Sequence, residues 1–198
     1  LSCEGMVGMA IGTRPDCVDE TRLDLIASYT GEYLVWLEYG LQSVHDQTLE
    51  LINRHHTFAD FIKAIRMTQE RKINTCAHII LGLPGETRRM MLDSARVLAD
   101  EGVNGVKIHL LYVIRGTKLA HMWEQGAYTP MEQAEYVDTV CDFLELLPPQ
   151  MVIQRITGDP HLDELLAPQW AGRYRETFNM IQQVLEDRDT CQGRKYPI

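Results

Sequence analysis

His78-Ile79-Ile80-Leu81-Gly82-Leu83-Pro84-Gly85-Glu86-Thr87 is the stretch on which the fold turns. An apolar run stops at a Gly-Leu-Pro-Gly turn and Thr87 opens a helical pattern. The segment therefore reads as a buried strand handed to a helix through a loop without bulky side chains. Gly82 and Gly85 permit a positive φ or close backbone approach, and Pro84 stiffens the turn between them. In α/β folds, loops at the carboxyl ends of parallel strands carry ligands. One glycine pair by itself equally describes a tight turn with no ligand, so the neighbouring segments decide.

Working outward, the chain alternates strand and helix. Met6 to Gly12 is a short apolar run closed by Gly12-Thr13-Arg14-Pro15-Asp16, and Asp19 to Thr30 carries Leu23, Ile26 and Ala27 at helical spacing. Tyr33 to Tyr39 is aromatic and β-branched, as a second strand requires, and a loop follows at Gly40 to Ser43. Asp46 to Arg54 reads as a short helix, and Thr57-Phe58-Ala59-Asp60 as a helix-start box. Ile73 to Leu81 is the third strand, Thr87 to Glu101 a helix closed by Gly102, and Gly105 to Val113 the fourth strand. Thr129-Pro130-Met131-Glu132 predicts a helix start, with Ala134, Val137, Cys141 and Leu144 as its apolar stripe. A fifth strand is expected over Met151 to Ile156, and a last helix through Tyr174, Phe178, Ile181 and Leu185. The residues after Asp189 are polar and expected to be mobile.

Alternation of this kind implies parallel strands with right-handed crossovers. A closed eight-stranded barrel takes about 250 residues, so the 198 residues here are too few. The fold class is α/β: a partial TIM-type barrel over residues 1–158, with a helical carboxyl-terminal extension over 159–198. The chain begins Leu1-Ser2-Cys3, with strand-like sequence almost at once, and is read as a piece of a longer protein. A composition of 45% apolar and 24% charged residues is ordinary for a globular domain. With no apolar run of membrane-spanning length and no signal pattern, the expected location is cytoplasmic, with no membrane partner. Five cysteines, Cys3, Cys17, Cys76, Cys141 and Cys191, show neither a disulfide pattern nor metal-ligand spacing, so no metal site is expected within this chain. The formal charge of −9 gives no support to non-specific nucleic-acid binding.

Four strand ends carry, in order, Gly12-Thr13-Arg14-Pro15-Asp16; Glu38-Tyr39-Gly40-Leu41-Gln42-Ser43, followed by Asn53-Arg54-His55-His56-Thr57; His78 to Glu86; and Leu111-Tyr112-Val113 with Gly116-Thr117-Lys118-Leu119. As an ordered set over roughly Met6 to Asp159, they resemble the second half of a radical S-adenosylmethionine (SAM) domain. The likeness is to the Elongator catalytic subunit, the tRNA methylthiotransferases and the oxygen-independent coproporphyrinogen oxidases, and above all to a small bacterial Elongator-like group. The resemblance implies that Gln42 and Arg54, the latter in the following helix, hold the ribose and methionine carboxylate of S-adenosylmethionine. A planar guanidinium is the natural bidentate partner of a carboxylate. It also implies cofactor contacts at His78, Gly82, Leu111 and Tyr112, and a substrate contact at Arg155; Arg14 reads by itself either as fixing its loop through a salt bridge to Asp16 or as a substrate contact. The implied cofactors are S-adenosylmethionine and a four-iron four-sulfur cluster. The implied partners are tRNA, modified at an anticodon uridine, and a reductant such as flavodoxin or ferredoxin.

The chain departs from this pattern at Gly12, where relatives carry glutamate, and at His78, where several carry aspartate. It also has no Cys-x-x-x-Cys-x-x-Cys, so the cluster ligands are expected upstream of Leu1 and the chain by itself is expected to be inactive. Other readings stand beside this one. The chain is alternatively a non-catalytic nucleotide-binding or protein-contact module. Lys107, inside an apolar strand, is alternatively a Schiff-base amine. Glu38 and Lys107 are more simply an interior ion pair, with His109 hydrogen-bonded beside them. His55 and His56 suit structural or capping roles, since adjacent residues do not face the same way.

Overall fold

The computed structural model describes residues 5–158 and 160–197. The expected alternation is present: β1 (Gly8–Thr13), α1 (Glu20–Ala27), β2 (Leu34–Gln42), α2 (Asp46–Leu51), α3 (Phe58–Gln69), β3 (Asn74–Leu81), α4 (Arg88–Asp100) and β4 (Gly105–Leu110). There follow β5 (Val113–Ile114), α5 (Lys118–Glu124), α6 (Gln133–Leu146), β6 (Val152–Arg155), β7 (Leu165–Ala167) and α7 (Tyr174–Asp187). Five strands form one sheet in the order β1-β2-β3-β4-β6, every neighbouring pair parallel. The described residues thus form an open arc of barrel type, with β1 and β6 at its edges. No helix among them is long and apolar enough to cross a membrane.

The strand pleat divides the sheet into two unlike faces. Val35, Leu37, Tyr39 and Leu41 of β2, Ala77, Ile79 and Leu81 of β3, and Val106, Ile108 and Leu110 of β4 are buried in the main core under the helices. By register the other face carries Gly12, Trp36, Glu38, His78, Lys107 and His109. The buried apolar face drives folding at roughly 25 cal/mol per Å². The opposite face is polar and holds the candidate site.

Helix ends follow local chemistry. Thr57 and Asp60 form the expected capping box at α3, and Thr87 caps α4 by accepting from the Met90 amide. Gly102, with φ +64°, closes α4 as expected. Four expectations are corrected. First, α2 stops at Leu51, so Arg54 lies in a loop rather than a helix. Asn53, at φ +58°, terminates the helix by donating to Glu50 O at 3.0 Å, while the Arg54 amide donates to Leu49 O at 3.0 Å, a Schellman closure. Second, α6 begins at Gln133, with Glu132 rather than Thr129 at its N-cap position. The preceding segment stays extended because the Met131 side chain packs on Gly82 and its carbonyl accepts from Trp170 Nε1 at 3.1 Å. Third, the fourth strand ends at Leu110, and Val113–Ile114 pairs instead with β7, antiparallel. Fourth, the segment after Asp189 is fixed. Gln192 Nε2 donates to Pro148 O at 2.7 Å and Met151 O at 2.8 Å, the Gly193 amide to Leu144 O, and Lys195 pairs with buried Glu145. It satisfies carbonyls that the end of α6 leaves open.

The carboxyl-terminal segment shares the main core, to which Trp170, Ala171 and Ile181 belong. It also contributes a strand, β7, besides its helix. Asp159, where the extension was expected to start, and Cys3 lie outside the described residues.

Candidate functional site

The polar face of the sheet is ordered around one carboxylate. Glu38 Oε2 accepts from Lys107 Nζ at 2.5 Å and lies 2.9 Å from His78 Nε2, joining β2, β3 and β4. Burial would raise the Glu38 carboxyl, but its bonds to Lys107 and His78 outweigh that and hold it below its ordinary value. His109 faces His78, ring centroids 5.4 Å apart. Burial, and then the charges around it, push His109 down to about 4, so it is neutral at pH 7. Its Nε2 is buried with no hydrogen-bond partner among the described residues. The Lys107 amine is engaged by a buried carboxylate rather than standing free in an apolar pocket, so the geometry is that of the interior ion pair and not of a Schiff-base nucleophile.

Above this layer, at the carboxyl ends of β1 and β2, Gln42 and Arg54 converge. The register of β2 on β3 slips between Tyr39 and Gln42, and Gln42 takes φ +74°. Such an irregularity re-aims a side chain. Arg54 stands between Asn53 and His55, both at φ +58°, and its Nη2 donates to Gly40 O at 2.7 Å. A Cβ on Gly40 would lie 2.8 Å from Gln42 Nε2 and 2.9 Å from Arg54 Nη2. Glycine here is therefore what allows both side chains to close over the strand. Arg54 Nε is buried without a partner among the described residues. A guanidinium with one nitrogen fixed on a carbonyl and another orphaned is suited to receive a carboxylate. Burial, then the Arg14 charge, lowers the Arg54 guanidinium. Arg14 itself pairs with Asp16 at 2.5 Å in the neighbouring loop. His56 is buried, neither ring nitrogen having a partner among the described residues; burial and then Arg54 lower it.

The Gly82–Thr87 loop forms the next wall. Gly82, at φ +86°, is covered by Met131, and its carbonyl accepts from Tyr128 Oη at 2.9 Å. Gly85, at φ +82°, faces open space. Glu86 accepts from Ser43 Oγ and so ties this loop to the end of β2. Burial raises its carboxyl, with Ser43 opposing. The resemblance sets the Gly82 to Glu86 loop near the adenine, but the tie of Glu86 to Ser43 carries no local signal, since the two lie 43 residues apart. A largely apolar groove of about 720 Å³ runs between this loop and the β4 end, lined in part by Ile80, Leu83, Pro84, Leu111 and Met122. Leu111 thus reaches the groove. The Tyr112 ring instead lies over Gly158, where a Cβ would come within 2.7 Å of Cε1. Arg155 stands at the far edge, paired in register with Lys107.

The structure therefore brings Gln42 and Arg54 together, sets Leu111 along the adjoining groove, turns Gly82 toward Met131 and Tyr128 on the other side of its loop, and places His78 deeper, in the Glu38 layer. S-adenosylmethionine fits this arrangement, since the orphaned Arg54 nitrogen and the Gly40 cradle suit its amino-acid part and the groove its apolar part. The iron-sulfur cluster does not fit the described residues. They contain no group of three or more His, Cys, Asp or Glu able to hold a metal. Burial pushes the Cys76 thiol up to about 12 and Cys141 up to about 11, away from the thiolate a cluster needs.

Comparison with known proteins gives a consistent picture. A family model described as the radical SAM superfamily matches residues 4–98, and one described as the radical SAM C-terminal domain matches residues 103–187. The chain is similar to YtqA of Bacillus subtilis, at 39% identity over 98% of this chain and 60% of that protein. It is also similar to the tRNA uridine(34) acetyltransferase of Dehalococcoides mccartyi, at 27% identity over 77% of this chain and 33% of that protein. Among solved structures, the archaeal Methanocaldococcus infernus Elp3 with an N-terminal deletion superposes with a TM-score of 0.77 at 24% identity, covering 94% of this chain and 43% of the other. That likeness shows the fold. The chain spans about three fifths of the length of the first curated relatives it matches, 62% and 60%.

Proposed function

The chain belongs to the radical S-adenosylmethionine superfamily, and from that premise we propose that this protein is a radical enzyme acting on tRNA, at an anticodon uridine. In the full-length protein, S-adenosylmethionine with a four-iron four-sulfur cluster would supply the radical chemistry. The cluster's ligand set is not among the described residues, so nothing further is derived for it. The work of the described residues is binding and orientation. Arg54 and Gln42 hold the cofactor's amino-acid and ribose parts. The groove beside Leu83 and Leu111 takes the faces of the adenine ring and excludes water. The Glu38 layer fixes His78 and presents the neutral His109 toward the interior. Arg14 and Arg155 border the space in which substrate lies.

The observation that carries this reading is the closure of Gln42 and Arg54 over Gly40, with the Arg54 Nε left without a partner. The tRNA part is supported by the relative that modifies tRNA uridine(34). A reductant such as flavodoxin or ferredoxin is the expected electron donor. The test of substrate class is nucleoside analysis of total tRNA from a strain lacking the gene. Loss of one modified uridine is expected, and an unchanged nucleoside profile overturns the tRNA assignment. The second reading is a binding module without radical chemistry, which the closure of Gln42 and Arg54 over Gly40 would serve equally. It predicts cofactor binding with no turnover in a protein shown to hold its cluster.

A further inference from the structure

Among the described residues, the charge balance of the polar face leaves one end uncompensated. Glu38 is taken up by Lys107 and His78. At the adjacent edge, Arg155 and Arg175 line one pocket of about 470 Å³ together with Gln154, Thr157 and Tyr174, and among the described residues that lining carries no carboxylate. Glu176, the nearest acidic residue along α7, is engaged by Arg173 at 3.0 Å. In a chain of formal charge −9, two guanidinium groups in one pocket without a carboxylate run against the overall balance.

A strand irregularity builds this pocket. Gly105 pairs with Val152, Val106 with Ile153, and Lys107 with Arg155, so Gln154 is an extra residue on β6. Without it, the pleat would put Gln154 opposite Lys107 and turn Arg155 toward the helix layer. The bulge re-aims Arg155 to the polar face and leaves Gln154 beside it. Across the pocket, the Tyr174 ring stacks on Phe178, centroids 6.3 Å apart at 11°, and is 44% exposed. An aromatic with one side packed and the rest open offers a surface for a base.

We propose that Arg155 and Arg175, with the Thr157 and Gln154 side chains between them, form a subsite for a phosphate group of the substrate nucleotide, with Tyr174 flanking its base. The proposal deepens the nucleic-acid reading above and rests on it for the substrate class. Paired guanidinium groups match phosphate oxygens in geometry as well as charge, whereas a single lysine supplies only a point charge.

The test uses the full-length protein and compares uridine 5′-monophosphate, uridine and a short single-stranded oligouridylate by calorimetry, with inorganic phosphate as competitor. The phosphate-bearing ligands are expected to bind about tenfold or more tighter than uridine. Phosphate should compete, and Arg155→Gln with Arg175→Gln should abolish the preference. Both arginines are exposed, so thermal unfolding of the double variant should match the parent. If only the oligonucleotide gains affinity, the subsite reads a backbone phosphodiester; if the monophosphate gains equally, it reads a terminal phosphate. Equal affinity for uridine and its phosphate-bearing forms, or a preference that survives in the double variant, overturns the proposal. S-adenosylmethionine affinity is measured on the same samples. Its absence would sink the enzyme reading without touching the phosphate result, and the reverse also holds.

Discussion

Arg54 Nη2 lies 2.7 Å from the Gly40 carbonyl oxygen, and a Cβ on Gly40 would stand 2.9 Å from that same nitrogen. The absent side chain at position 40 is thus part of the site. In Gly40→Ala, the atoms that must yield are the far ends of Gln42 and Arg54, which can swing away, so stability should change by less than about 1 kcal/mol. The Gln42 and Arg54 side chains should be displaced together and, if they hold the cofactor as proposed, S-adenosylmethionine binding should weaken by about tenfold or more. Calorimetry paired with thermal unfolding checks this. An unchanged affinity would mean that Gln42 and Arg54 do not hold the cofactor.

Glu38 is the counter-charge of its layer. Glu38→Gln keeps the shape but leaves the half-buried Lys107 and His78 without a carboxylate, which should cost about 2 kcal/mol in chemical denaturation. Glu38→Gln combined with Lys107→Met should recover most of that loss. A double variant as unstable as the single one would show that packing, not charge, sets the cost.

Acid should destabilise the fold through the histidines before the carboxylates contribute. His109 titrates near 4 in the folded chain and near 6.5 when unfolded. Between those values the unfolded chain binds more protons, so stability falls as pH drops through that window. Burial, partly opposed by Glu38, lowers His78 in the same direction. Glu38, also lowered, adds its own loss only below about pH 4.5. Denaturation midpoints measured across this range should slope less steeply in His109→Gln. An identical slope would place His109 in contact with solvent.

The parallel sheet, the capping box at Thr57 and the Gly82–Gly85 turn were legible because each is written locally, in strand periodicity, a cap spacing or a glycine pair. The Thr129 box failed for a tertiary reason: Met131 is held extended between Gly82 and Trp170, and that contact spans 39 residues to the tryptophan. The two-stranded β5–β7 pair was missed because each strand is only two or three residues long. Of the site, Gln42 and Arg54 were named by family resemblance, not by spacing. Their convergence depends on a strand irregularity and on left-handed residues on either side of Arg54, neither of which a residue pattern discloses. The polar tail read as mobile because its anchoring acceptors are backbone carbonyls, which no sequence displays.

Gln192 is the pin of that tail, donating to Pro148 O and Met151 O. Gln192→Ala should leave Met151 O without this donor, while Pro148 O keeps the Met151 amide, and cost about 1 kcal/mol. It should also raise hydrogen exchange at Gly193 and Lys195, whose amides bond to Leu144 O and Glu145 O. Unchanged exchange at both amides would show that the Lys195–Glu145 pair alone holds the segment.

The central claim is that Arg54 holds S-adenosylmethionine for radical chemistry. Its most direct test is deoxyadenosine formation by the full-length protein, cluster-reconstituted without oxygen and given S-adenosylmethionine and dithionite. Deoxyadenosine is expected to form, and Arg54→Ala to lower it at least about tenfold while cluster content is retained. No deoxyadenosine from a protein shown to hold its cluster, or undiminished formation in Arg54→Ala, would contradict the claim.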